Sequence, residues 1–192
     1  MSEDTRQRIL EVGAELIHQR GFNNTGLKDI LEAAGVPKGS FYFYFANKEA
    51  FGIEMVDYLS QRFGEMVGPI VQDESVAPLE RLRRFFMAFH AYFEAHGFTR
   101  GCPIGNLGQE MGDLSAPFRE KLTRSLDGLA GVVADLLAKA QRAGDVEPDL
   151  EIRETAIFII EAWHGAIIRM KVTKTPEPLE IFYKLIFDNV LR

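Results

Sequence analysis

Between Pro37 and Lys48 the chain carries Lys38, Gly39, Ser40, Tyr42 and Phe43, a set suited to grasping a polyanion rather than to making or breaking bonds. A lysine offers a cation to phosphate oxygens, Ser40 and Tyr42 offer hydroxyl donors, and Gly39 lets backbone approach a phosphate or base edge with no side chain in the way. Thr25, Lys28 and Lys48 add a hydroxyl and two more cations on either side. A second stretch, residues 99–113, surrounds the only cysteine, Cys102, with four glycines. Arg100 stands close enough in sequence to favour a thiolate, and a helix starting after Pro103 would add the positive end of its dipole. The chemistry on offer there is thiol modification. The plainer alternative is an inert cysteine in a turn that glycines allow to pack.

The first set needs two short helices to position it. One is expected to start at Thr25, whose hydroxyl can accept an orphan amide, and to carry Leu27, Ile30 and Leu31 on one face. Gly35 ends it by adopting a left-handed conformation, and Pro37 has a φ suited to starting the next. Ala33 and Ala34 allow close crossing, while Val36, Phe41 and Phe45 lock the crossing angle from the apolar side. Phe41, Tyr44 and Phe45 read as core. This is the layout of a helix-turn-helix DNA reader.

On Thr25, Asp29-Ile30, Ala34-Gly35-Val36, Lys38-Gly39, Tyr42, Tyr44-Phe45 and Lys48-Glu49, the run resembles the DNA-binding head of the TetR family of bacterial one-component regulators. That resemblance implies Thr25, Lys28, Pro37, Lys38, Gly39, Ser40, Tyr42, Phe43 and Lys48 as the DNA-facing residues. One departure bears on base preference. The position of Phe43 is often histidine or another polar residue in relatives, so a phosphate hydrogen bond gives way to apolar contact, such as with a thymine methyl.

A length of 192 residues and 46% hydrophobic content suit a small head plus one larger core. No leader with a cleavage site is seen, and no apolar run approaches the ~20 residues of a membrane span. A single cysteine fits a reducing compartment, so a cytoplasmic protein without membrane partners is expected. The formal charge of −6 argues against nucleic acid only at first sight. Residues 1–48 hold six Lys/Arg against six Asp/Glu, leaving 16 against 22 beyond, so the acidity lies outside the head. A neutral head must bind by local placement of cations and helix ends.

Apolar spacing of three and four residues continues through the rest, with no strand alternation. Helices are expected near 3–20, 26–34, 38–44, 48–68, 77–96, 104–112, 116–143, 150–172 and 177–191, with a break at Gly68-Pro69. The fold expected is all-α: a three-helix DNA-binding head over 1–48 and a helical effector-sensing and dimerisation bundle over 49–192. The resemblance implies about nine helices. Phe118, Leu122, Leu126, Leu129, Val133, Leu136 and Leu137 form one apolar stripe, with Gly128 and Gly131 permitting close approach. Ile152, Ala156, Ile159, Ile160, Trp163, Ala166, Ile167 and Met170 form another. Part of each stripe reads as ordinary core and the rest suggests a four-helix seam between two copies, and a twofold homodimer could read a pseudo-palindromic operator.

The body also resembles the N-ethylmaleimide-responsive, NemR-like branch of the TetR family, on Gly101-Cys102, Leu107, Glu110, Asp113-Leu114-Ser115 and the head motifs. That resemblance implies release from DNA when an electrophile or oxidant modifies Cys102, with Lys171 as its partner. Pro103, Gly105 and Asn106 depart from that branch. Similar Gly-Cys-Pro-Ile-Gly-Asn-Leu runs fit relatives that bind small organic ligands such as acrylate-type compounds without covalent chemistry. For such a ligand Phe89, His90, Phe93, Met111, Trp163 and His164 are the candidate pocket residues, most of them expected in the core. Four scattered histidines and one cysteine give no metal spacing, and no cofactor is expected. No nucleophile elbow, phosphate loop or catalytic carboxylate pair is present, which leaves a spatial Cys102–His164 dyad as the remote enzymatic reading. Glu110 and Asp113 read as caps or solvent-facing groups.

Overall fold

The computed structural model describes residues 3–191, and every regular element in them is helical. In chain order these are α1 (Glu3–Arg20), α2 (Leu27–Ala34), α3 (Lys38–Tyr44), α4 (Lys48–Gln72), α5 (Pro78–Ala95), α6 (Pro103–Met111), α7 (Ala116–Ala143), α8 (Ile152–Thr173) and α9 (Glu177–Leu185). A π-helical turn, Ile186–Val190, follows α9.

Local chemistry explains the boundaries. Gly26 caps α2, and the Asp29 carboxylate reaches back to accept the Gly26 amide at 3.1 Å, half of a capping box. Gly35 ends α2 at φ +64°, with its amide bonded to the Glu32 carbonyl and the Val36 amide to that of Leu31, the two bonds of a Schellman stop. Asn47 caps α4 by accepting the Ala50 amide at 2.8 Å, and Ser115 caps α7 by accepting that of Phe118 at 3.2 Å.

Two expectations change here. Thr25 does not cap α2: its hydroxyl donates to the Gly21 carbonyl at 2.7 Å and the residue is fully buried. Nor does α4 break at Gly68-Pro69. Proline removes one ladder donor without forbidding the turns after it, Val67 is buried just before it, and Arg81 caps the far end by donating to the Val71 carbonyl at 3.0 Å.

The chain forms two compact units. The first runs to Phe63 and takes in Pro103–Ser125, so it holds α1–α3, the first part of α4, α6 and the start of α7. Ile9, Ile30, Phe41, Phe45, Phe51 and Phe118 are at most 1% exposed and form its centre. The second comprises Gly64–Cys102 and the chain from Leu126 onward. Its centre is aromatic: Phe86, Trp163 and Phe182 stand with ring centroids 4.9–5.0 Å apart.

The stripes expected to form a subunit seam belong largely to the chain's own core. Phe118, Leu122, Val133, Leu136 and Leu137 of α7, and Ala156, Ile159, Ile160, Trp163, Ile167 and Met170 of α8, are already buried within one chain and cannot also cover a second. A different stripe faces outward on α8, Phe158, Ile168 and Val172, 53%, 49% and 77% exposed, with Ile181 and Leu185 on α9, each 48% exposed. Among the described residues no helix is long and apolar enough to cross a membrane.

Candidate functional site

Helix α3 divides its aromatic residues by face. Phe41 and Phe45 turn inward, their rings 5.2 Å apart, and Phe45 meets Phe51 of α4 at 5.2 Å. Tyr42 and Phe43 turn outward, 53% and 64% exposed, beside exposed Pro37, Lys38 and Gly39 and half-buried Ser40. The inward pair fixes the helix, so the outward pair is presented on a rigid element. Lys28, on α2, is exposed and pairs loosely with Glu32 one turn on, at 3.6 Å. Leu27, Leu31, Val36 and Tyr42 line a concavity of about 650 Å³ between α2 and α3, with Lys28 and Lys38 also on its wall. An apolar concavity bordered by cations and an outward tyrosine can meet a phosphate backbone and a base edge together.

The other two expected DNA contacts face inward. The Thr25 hydroxyl is bonded to Gly21, and Lys48 is half-buried, donating from Nζ to the Phe22 carbonyl at 2.6 Å and lying 4.5 Å over the Phe22 ring. Burial lowers the Lys48 pKa, with neighbouring Glu110 opposing that shift. Glu110, expected as a cap or a solvent-facing group, accepts the amides of Phe22 at 3.2 Å and Asn23 at 3.0 Å. The Phe22 ring in turn packs edge-on against Phe118 of α7 at 5.1 Å. Gly52 makes room for this, since a Cβ there would stand 2.5 Å from both rings.

The expected sensor residues are split between the units: Cys102, Lys171, Phe89, His90, Phe93, Trp163 and His164 lie in the second, Met111 in the first. Cys102 is half-buried and immediately precedes Pro103, the first residue of α6. Phe89, Phe93, Met111 and Trp163 are buried, while His90, His164 and Lys171 are half-buried. Phe93 and Trp163 are 6.3 Å apart by ring centroid, and His90 stacks on Tyr183 at 5.8 Å with only 5° between planes. The Tyr183 hydroxyl donates to the Phe86 carbonyl at 3.0 Å, and burial pushes its pKa well above the ordinary tyrosine value. Burial also lowers the His164 pKa, favouring the neutral imidazole. Among the described residues no group of His, Cys, Asp or Glu is arranged to hold a metal ion.

Known proteins share this arrangement. Residues 9–55 match the family described as bacterial regulatory proteins, tetR family, and residues 78–186 match the tetracyclin repressor-like C-terminal domain. This chain belongs to the TetR family. The transcriptional regulator AcuR of Cereibacter sphaeroides is 39% identical to it over 92% of this chain and 80% of AcuR. The repressor NemR of Escherichia coli K12 is 34% identical over 92% of this chain and 89% of its own length. The crystal structure of E. coli NemR in its reduced form superposes with a TM-score of 0.87 at 30% identity, covering 94% of this chain and 93% of NemR. The crystal structure of a TetR regulatory protein from Rhodobacter sphaeroides gives 0.89 at 37% identity, covering 95% and 96%. TetR regulators bind DNA operators, act as dimers and respond to small-molecule ligands. Within this family, the chain is a DNA-binding transcriptional regulator whose helix-turn-helix is α2 and α3.

Proposed function

We propose that the protein is a cytoplasmic homodimeric repressor whose two heads, residues 1–48, read a pseudo-palindromic operator, with sensing and dimerisation in residues 49–192. The observation that carries this reading is the outward face of α3, where Lys38, Gly39, Tyr42 and Phe43 are exposed over a buried Phe41–Phe45 pair. Pro37, Ser40 and Lys28 complete the DNA-facing set. Thr25 and Lys48 act on the frame beneath it. The outward stripe Phe158, Ile168, Val172, Ile181 and Leu185 faces the second copy, since an apolar patch of this kind on two adjoining helix sequences is what an isologous interface hides. Catalysis is no part of this reading, and its relatives are transcriptional regulators.

Release follows modification of Cys102 by an electrophile or oxidant. A half-buried thiol directly before the first residue of a helix is within reach of a small electrophile. A tenfold to hundredfold loss of operator affinity needs only about 1.4–2.7 kcal/mol of differential preference between two head spacings. A second reading, reversible binding of a small organic ligand among the body's aromatic residues, draws support from the small-molecule ligands to which TetR regulators respond. Fluorescence anisotropy on an operator duplex, with and without N-ethylmaleimide, separates the two. Loss of binding by wild type but not by Cys102→Ser supports the thiol; equal retention by both transfers the trigger to the reversible ligand.

A further inference from the structure

We propose that Glu110 is a positioning residue that fixes the helix-turn-helix for DNA by gripping the turn between α1 and α2. The inference rests on the operator-binding reading above and adds to it a residue.

The turn at 21–25 is held by two other elements of the first unit, α4 and α6, and by one bond within itself. Glu110 of α6 accepts the Phe22 and Asn23 amides, Lys48 at the start of α4 donates to the Phe22 carbonyl, and Thr25 donates to the Gly21 carbonyl. The Phe22 ring is closed in by Phe118 of α7 at 5.1 Å and by the Lys48 ammonium at 4.5 Å. One peptide is therefore gripped by α4 and α6 while its side chain is packed by α7. Two residues after Phe22 comes Asn24, and α2 begins at Leu27, so the turn's position sets where α2 and, through the Gly35 stop, α3 emerge.

Charge-assisted bonds from a carboxylate to two adjacent amides are short-range and directional. A shift of α6 that exceeds hydrogen-bond reach breaks both at once, which makes the contact two-state rather than compliant. Lys48 lies beside Glu110 and donates to the Phe22 carbonyl of the peptide whose Asn23 N–H donates to Glu110, so the two charges brace opposite ends of one amide plane.

The test compares Glu110→Ala and Glu110→Gln with wild type for folding midpoint in denaturant and for affinity toward the same operator duplex. Glutamine keeps the reach but only one acceptor oxygen and turns an NH2 toward the second amide; alanine keeps neither. Folded Glu110→Ala is expected to bind at least tenfold more weakly, with Glu110→Gln between it and wild type, a graded pattern that a purely stabilising role would not give in the folded fraction. Folded Glu110→Ala binding within threefold of wild type overturns the proposal. Should the alanine variant not fold, amide exchange in wild type decides: Phe22 and Asn23 are expected to be protected in free protein, and exchange at unprotected rates overturns the clamp. A wild type that binds no duplex would instead sink the parent reading, an outcome separable from the failure of Glu110 alone.

Discussion

The two units use the same kind of residue for opposite ends. In the first, α3 keeps Phe41 and Phe45 inside and turns Tyr42 and Phe43 out to more than half exposure. In the second, Phe86, Phe93, Trp163 and Phe182 all pack inward in edge-to-face and tilted contacts and are at most 4% exposed. Aromatic content by itself therefore says nothing about binding. What separates a reading surface from a core is whether neighbouring rings on the same helix already satisfy the packing, leaving others outward on a fixed backbone. An exposed Phe beside exposed Lys38 and Gly39 has no packing reason to be there, whereas an inward Trp163 does.

That contrast can be broken from either side. Trp163→Ala empties the aromatic centre and is expected to cost about 3–5 kcal/mol of stability, measured by denaturant unfolding; a loss under 1 kcal/mol would mean that the second unit is not built around it. Charging the outward stripe with Ile168→Asp and Val172→Asp is expected to leave the fold intact and convert dimer to monomer in sedimentation velocity at micromolar concentration. Unchanged sedimentation would place the subunit interface elsewhere. On the reading face, Tyr42→Ala and Phe43→Ala are expected to change stability by no more than about 0.5 kcal/mol and to weaken operator binding by about 1–3 kcal/mol, the inverse of Trp163. Replacing operator thymines by deoxyuridine should reproduce part of the Phe43 loss and none of the Tyr42 loss.

The smallest effect concerns protons. Burial lowers the folded-state pKa of His164 below its ordinary value of 6.5, so below that pH the unfolded chain binds more protons than the folded one. Stability tied to this residue is present at neutral pH and declines as pH falls through about 6.5. Melting temperature compared at pH 7.5 and 5.5 should drop less in His164→Gln than in wild type.

Much of this was legible in residue order. Helices and most of their ends follow from local rules, and the Gly35 stop and the helix after Pro37 stand where glycine and proline put them. The inward and outward faces of α3 follow from a three- and four-residue spacing. The contacts that span the sequence were not legible, for one reason. The seam was assigned to stripes that one chain already buries, because periodicity shows that a face is apolar but not which neighbour covers it. Glu110 reads only as a cap or a solvent-facing group, because its partners, the amides of Phe22 and Asn23, lie 88 and 87 residues away and no local pattern marks an acceptor for them. Thr25 and Lys48 show the same limit: a hydroxyl and a cation beside a reading helix suit phosphate, and residue order does not show that the turn at 21–25 also offers each of them a carbonyl.

The most direct test of the account is selection of duplexes from a random pool by the reduced protein. It predicts enrichment of a pseudo-palindrome with half-site centres about one helical turn apart or slightly more, ~34–36 Å or ~10–10.5 base pairs as a lower value, lost with Tyr42→Ala at equal folded concentration. No enrichment, or enrichment that Tyr42→Ala leaves intact, would contradict the claim that the outward face of α3 reads DNA.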